Sequence, residues 1–283
     1  MSTPIESAPS WPRAKTRLPL HYGLAAVFAA FLLAQLFGAL AGNIADAVLH
    51  PAARGGGVDV AHVIPPMLAS EFALILVSLV TPLMASMALR ESLNLEPDRP
   101  QVFLAAAVGT VMLGPLGDRL MTELTRHFPS WTLGVVPTLH ELASHLPLIA
   151  LWPTFALVPG VAEELLFRGV LQGALGRTFL AAMITGVAFA AFHVDPVHIV
   201  GVLPLGLFLS WVAYRSSTLV SMFAHVANNS LAVFSIHSAV LDVGYGTGRE
   251  VPVSWLAASL LICAAMVAII AQSTRRPVSA VPA

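Results

Sequence analysis

Charge is what this chain has least of. Of its 283 residues, 10% are Asp, Glu, Lys or Arg, whereas a soluble domain carries roughly a quarter. So few charges cannot cover a water-facing surface, which excludes a soluble globular fold. Neither sign dominates: 14 Lys and Arg stand against 15 Asp and Glu, for a formal net charge of −1. Because the basic residues are scattered, neither nucleic-acid binding nor a polybasic lipid anchor is expected. Cysteine is almost missing. The single Cys263 lies in an apolar run, so a disulfide framework or a thiolate metal site within one chain is excluded. Internal repeats, low-complexity tracts outside the tails and a separate soluble domain are absent as well. What remains is 57% hydrophobic with a mean hydropathy of +0.81, the composition of an all-α, polytopic membrane helix bundle.

Crossing the hydrocarbon core takes about 20 helical residues, with a usual range of ~17–25. On that measure the spans fall at about 20–45, 63–89, 102–122 and 252–272, with a long apolar region between 144 and 238 that folds back on itself. Polar breaks at Gly176-Arg177-Thr178, at "VDPVH" (194–198) and at "YRSST" (214–218) divide that region into helices of about 145–176, kinked at Pro159, 178–193, 199–214 and 218–237. The total is about eight transmembrane helices. The chain is thus divided into an N-terminal tail (1–19), about three N-terminal membrane helices (20–143), a core of about four (144–238), and an external loop, last helix and C-terminal tail (239–283). The segment after "MSTPIESAPSWPRAKTRLPL" is too long for a signal-peptide core and lacks a clear cleavage site, so it is read as retained. Gly55-Gly56-Gly57 reads as a flexible external loop.

The short loops set the orientation. With a cytoplasmic N-terminus, the inner side receives Arg13, Lys15, Arg17, Arg90, Arg99, Arg177, Arg215, Arg275 and Arg276, and the outer side Arg54, Arg119, Arg126 and Arg249. Nine against four places both termini inside, in a multi-pass membrane protein.

Ionisable groups at bilayer depth cost at least a few kcal/mol each, so they face the bundle interior and mark a site or a pathway. They number few here: Glu163, Glu164, Arg168, His193, His225, Asn228 and Asn229, with Glu71 and His237 nearer helix ends. At ~1.5 Å per residue, Glu163 and His193 both lie roughly 20–24 Å from the Arg177 turn, with His225 about 13 Å and Asn229 about 20 Å from the next turn on that side. A carboxylate beside an imidazole can hold and deprotonate a water, and an imidazolium or carboxamide can stabilise an oxyanion. The same set could bind a metal, relay protons, or act as interhelical glue. Clustering at one depth argues against a relay across the bilayer. Glu164 and Arg168, four apart, form the natural internal ion pair. Their expected part is to hold the helix and tune Glu163.

"EELLFR" (163–168), "FAAFH" (189–193) and "HVANN" (225–229) fit the patterns E-E-x-x-x-R, F-x-x-x-H and H-x-x-x-N. In this order, in membrane helices, they resemble the CPBP family: CAAX-processing and bacteriocin-processing intramembrane endopeptidases, also called ABI. The resemblance covers about 145–235; the N-terminal helices share only hydrophobicity with the family. It implies peptide-bond hydrolysis of membrane-associated or exported protein substrates, with Glu163 and His193 activating water, His225 and Asn229 stabilising the oxyanion, and Glu164 and Arg168 in support. No cofactor is favoured. Zinc is the alternative, with Glu163, His193 and His225 as its ligands. The partners are then a protein or peptide substrate and the lipid bilayer. A non-proteolytic bundle, a proton-coupled transporter or a self-immunity protein, is the rival reading.

Other polar groups read as structural. "HELASH" (140–145) lacks the i,i+4 histidine pair of H-E-x-x-H and reads as an external loop or interfacial helix start. Asp195 and His198 could contribute to the external mouth of the site but are read as solvated members of a Pro turn, Asn228 as an interhelical hydrogen bonder, and Glu71 as a solvated residue near the outer end of its helix.

Overall fold

The computed structural model describes residues 17–49, 60–131, 141–142, 146–238 and 250–274. In hydrocarbon every backbone polar group must be satisfied within the chain, which leaves helices as the means of crossing. The described residues accordingly form a helix bundle: α1 (Leu20–Leu49), α2 (Val60–Met84), a short α3 (Leu89–Ser92), α4 (Pro100–Val111), α5 (Gly114–His127), α6 (Leu148–Leu175), α7 (Phe179–Ala191), α8 (Pro196–Arg215), α9 (Thr218–Ser238) and α10 (Val253–Ser273). Among the described residues, seven stretches are long and apolar enough to cross a membrane, with α4 and α5 counted together, and α7 is a shorter apolar eighth. The Gly55-Gly56-Gly57 loop, Arg13, Lys15, Arg54, Arg249, Arg275 and Arg276, and His140 and His145 of "HELASH" lie outside the described residues.

Three boundaries differ from the sequence reading, each for a local reason. The helix expected at 102–122 breaks at Met112–Leu113, just before Gly114-Pro115 opens α5. The second helix ends at Met84, two residues after Pro82, and Ser86 takes a positive φ of 56°. The helix expected at 178–193 ends at Ala191, so His193 stands in the turn that follows. At 13 residues, α7 covers about 20 Å of a ~30 Å core.

The lipid-facing surface is plain on α1. Leu20, Leu24, Phe28, Leu32, Leu36, Leu40, Ile44 and Val48 recur every fourth position and are exposed, while Ala26, Ala30 and Ala34 are buried. Small residues let α1 and α2 approach closely, as packing without a hydrophobic drive between helices requires. Central α6 is buried behind both: Leu166, Phe167 and Val170 share one apolar cluster with Ala30, Ala73 and Leu74. A second cluster joins α4, α8, α9 and α10 through Val102, Leu209, Val220 and Ile270.

The backbone of α6 is not uniform. It widens to π turns over Pro153–Leu157 and Leu165–Leu171, on either side of the regular turns Val158–Glu164. A helical proline lacks an N–H and its ring crowds the carbonyl four residues back, and the π turn Pro153–Leu157 stands directly ahead of Pro159. Such bulges concentrate at functional sites. Gly160 brings α6 against α9, for a Cβ there would lie 2.8 Å from the Val226 side chain and 3.1 Å from its amide nitrogen.

Candidate active site

The close approach at Gly160 sets Glu163 and Glu164 beside His225, one turn before Asn229 on α9. The two glutamates have different surroundings. Glu164 is fully buried and ion-paired with Arg168 at 2.6 Å. Its other oxygen accepts a hydrogen bond from the Ser221 hydroxyl at 2.6 Å. Arg168, itself 1% exposed, also donates to the Ser210 hydroxyl at 3.1 Å and the Gly206 carbonyl at 2.9 Å. Its guanidinium lies 4.3 Å above the Phe189 ring. One cation therefore ties α6 to α7 and α8.

Glu164 has a second task that the sequence reading did not assign. His225 Nδ1 lies 3.0 Å from Glu164 Oε1. An ionised carboxylate only accepts, so Nδ1 carries the proton and the ring is held with Nε2 pointing away, 3.8 Å from Glu163 Oε2. That separation is too long for a direct hydrogen bond. Glu164 thus orients His225, the part a buried carboxylate plays behind a catalytic imidazole.

Glu163 faces a cavity of about 280 Å³. His193, His225, Asn228, Asn229 and His198 line the same cavity. His193 Nδ1 donates to the Phe189 carbonyl at 3.1 Å, which leaves Nε2 as an acceptor. Phe189, the first residue of F-x-x-x-H, sits edge-on between the two rings, with centroids 5.0 Å from His193 and 5.7 Å from His225. Asn228 donates to Asn229 Oδ1 at 3.3 Å, so the Asn229 amide nitrogen remains to donate elsewhere. The rest of the wall is mostly apolar and comes from α5, α8 and α9, including Leu113, Met121, Val202 and Val233.

Several expectations change here. Asn228 is a cavity residue beside Asn229. Its Cα lies ~100° round the helix from that of Asn229, but an amide side chain spans that difference. Asp195 is 2% exposed, not solvated; it caps α8, accepting from the amides of Val197 (2.9 Å) and His198 (3.1 Å). His198 lines the cavity. Glu71 is not at a helix end: it is the twelfth residue of α2, with Oε2 buried, on the helix packed against the Glu163 segment. Asp118 on α5 lines the cavity and is 4% exposed; the polar run "GDRLMTELTRH" conceals it, because nothing in the sequence says which of those residues turns inward. Among the described residues, no three His, Cys, Asp or Glu side chains are arranged to hold a metal ion. Glu163, His193 and His225, the set that zinc would need, all line the cavity.

Residues 145–231 match the family described as Rce1-like, type II CAAX prenyl endopeptidase Rce1-like. The matched segment holds all three motifs and every one of the four candidate catalytic side chains. No curated protein and no solved structure matches the chain.

Proposed function

We propose that this chain is a CAAX-type intramembrane protease, like the family that residues 145–231 match, and that it cleaves a peptide bond with these side chains. Glu163 accepts a proton from a water in the cavity, and that water is also held by the free Nε2 of His193. The water oxygen attacks the scissile carbonyl carbon. The resulting oxyanion is held by the Asn229 amide and by His225 Nε2, which donates in the imidazolium form. With Glu164 on one side and Glu163 on the other, a charge on that ring is compensated. Glu163 then passes its proton to the leaving nitrogen, and the bond breaks to a carboxylic acid and an amine. Arg168 keeps Glu164 ionised and in place. No metal enters this scheme. The observation that carries the reading is that side chains of three separate motifs, from α6, the α7–α8 turn and α9, line one cavity inside the membrane bundle.

The substrates we propose are membrane-associated or exported proteins, whose chains the apolar cavity wall can receive from the bilayer. The Lys/Arg balance sets the Arg177 and Arg215 turns in the cytoplasm. Glu163 and His193 then lie ~20–24 Å from that face of a ~30 Å core, nearer the outside. The test is hydrolysis by the purified protein in nanodiscs. A prenylated peptide ending in a CAAX box, the substrate type in the matched family's description, is incubated in ¹⁸O-water and its fragments are read by mass spectrometry. Cleavage with ¹⁸O in the new carboxyl terminus, absent in Glu163→Gln, is expected. A wild-type protein that cleaves neither this peptide nor any anchored protein that accumulates in Glu163→Gln cells would sink the reading.

A further inference from the structure

We propose that His198 is a substrate-contact residue of this site, its imidazole hydrogen-bonding a backbone group of the peptide beside the scissile bond. The inference rests on the proteolytic reading above.

It starts from the turn between α7 and α8. With α7 ending at Ala191 and α8 opening at Pro196, the chain reverses within a few residues. It does so through a three-residue turn: the Asp195 amide donates to the His193 carbonyl at 2.7 Å across Val194, whose φ is 64°. A γ-turn of this sign is rare and strained, and more so around a β-branched residue. Asp195 Oδ1 then fixes the first turn of α8 by accepting from the amides of Val197 and His198. The outcome is a pair of imidazoles stacked face to face, His193 and His198, with centroids 4.7 Å apart and planes 13° from parallel.

Stacking alone does not call for a histidine, since a phenyl ring would fill the same slot against His193. The nitrogens are what need a reason. His198 Nδ1 is buried and has no hydrogen-bond partner among the described residues. Such groups are uncommon in folded proteins and mark places where a partner comes from outside. The ring lines the cavity that holds Glu163, His193 and His225. An extended peptide entering that cavity loses water from its own amide and carbonyl groups, and each needs a partner. Glu163, His193, His225 and Asn229 are engaged with the attacking water and the oxyanion. Of the other polar residues that line the cavity, Asn228 is bound to Asn229 and Asp118 stands on α5; His198 is the one stacked on His193.

Two substitutions separate this role from packing. His198→Phe keeps the stacked ring and removes both nitrogens; His198→Asn keeps an amide near the position of Nδ1 and gives up the stack. With the prenylated peptide in nanodiscs, His198→Phe should raise KM about three- to tenfold, the worth of one neutral hydrogen bond, with kcat within about twofold. His198→Asn should stay nearer the wild-type KM. Equal KM in wild type and His198→Phe, or a larger loss in His198→Asn than in His198→Phe, overturns the proposal. A second arm needs no chosen substrate: a benzophenone amino acid is placed at position 198 in Glu163→Gln cells, with lipid-facing Leu180, 68% exposed, as the control site. Capture at 198, and not at 180, of a protein that wild-type cells hold in shortened form is expected. Capture at 198 of a protein that the wild type leaves intact supports the contact and counts against proteolysis. Where the peptide is not cleaved at all, absence of capture at 198 overturns the proposal.

Discussion

Replacing Arg168 by Met tests the energetics of the buried cluster directly. Met fills similar length without charge, so packing is largely kept while three hydrogen bonds vanish: to Glu164 at 2.6 Å, Ser210 at 3.1 Å and the Gly206 carbonyl at 2.9 Å. Glu164, fully buried, is left with Ser221 and His225 but no full counter-charge. Deleting one partner of a buried pair costs about 3–5 kcal/mol, against a total stability of roughly 5–15 kcal/mol for ordinary folded proteins. At ~2–4 °C per kcal/mol for chains of this general size, the thermal midpoint should fall by about 6–20 °C. The double variant Arg168→Met/Glu164→Gln removes both charges and leaves an amide that Ser221 and His225 can still address, so it should recover a large part of the loss. Midpoints are read by heating detergent-purified protein and following the monodisperse peak on a sizing column. A single variant melting within about 2 °C of wild type, or a double variant melting below both singles, would refute the reasoning.

Glu163→Gln and His193→Ala should each lower proteolysis by ~10²–10⁴-fold, the usual worth of general-base catalysis, with the thermal midpoint close to wild type; near-normal turnover in either removes that residue from the water-activating pair. Activity should survive dialysis against a chelator, and zinc per chain should be well below one by elemental analysis. Stoichiometric zinc, with activity lost on removal and restored on readdition, would instead make Glu163, His193 and His225 ligands. For topology, single cysteines at Thr178 and Val194 in a Cys263→Ser background are probed with a membrane-impermeant thiol reagent on intact cells or spheroplasts. Val194, 55% exposed, is the better reporter, because Val197 is buried at 5%. Labelling at 194 alone is expected, and labelling at 178 alone would invert the orientation and the side from which substrate enters.

The bundle was legible in the sequence because twenty-residue apolar runs have one physical solution in lipid. The Glu164–Arg168 pair was legible because i,i+4 neighbours on a helix must meet. What escaped depends on three-dimensional placement at short range. A residue just past a helix end is positioned by its turn, and no periodicity describes a γ-turn at Val194, so the burial of Asp195 and of the His198 Nδ1 is not legible in the sequence. Glu71 is hidden for another reason: its helix begins at Val60, three residues before the position that the sequence predicts. Asp118 sits in the least apolar of the longer helices, where an inward residue is not distinguishable from an outward one by composition.

The adjacent glutamates show how one short motif serves two ends. Neighbouring residues on a helix diverge by ~100°, so Glu163 and Glu164 cannot share an environment. Glu164 turns into the α8–α9 packing and is 0% exposed, whereas the Glu163 side chain is 15% exposed at the cavity wall. The first carboxylate stays available for chemistry because the second one answers the arginine. Were Arg168 nearer Glu163, the ion pair would hold the carboxylate that has to accept a proton and leave His225 unoriented. The spacing of four between the second glutamate and the arginine therefore fixes which of the two glutamates can act. Substitutions at 163 should show in the rate, and substitutions at 164 should show first in the melting temperature.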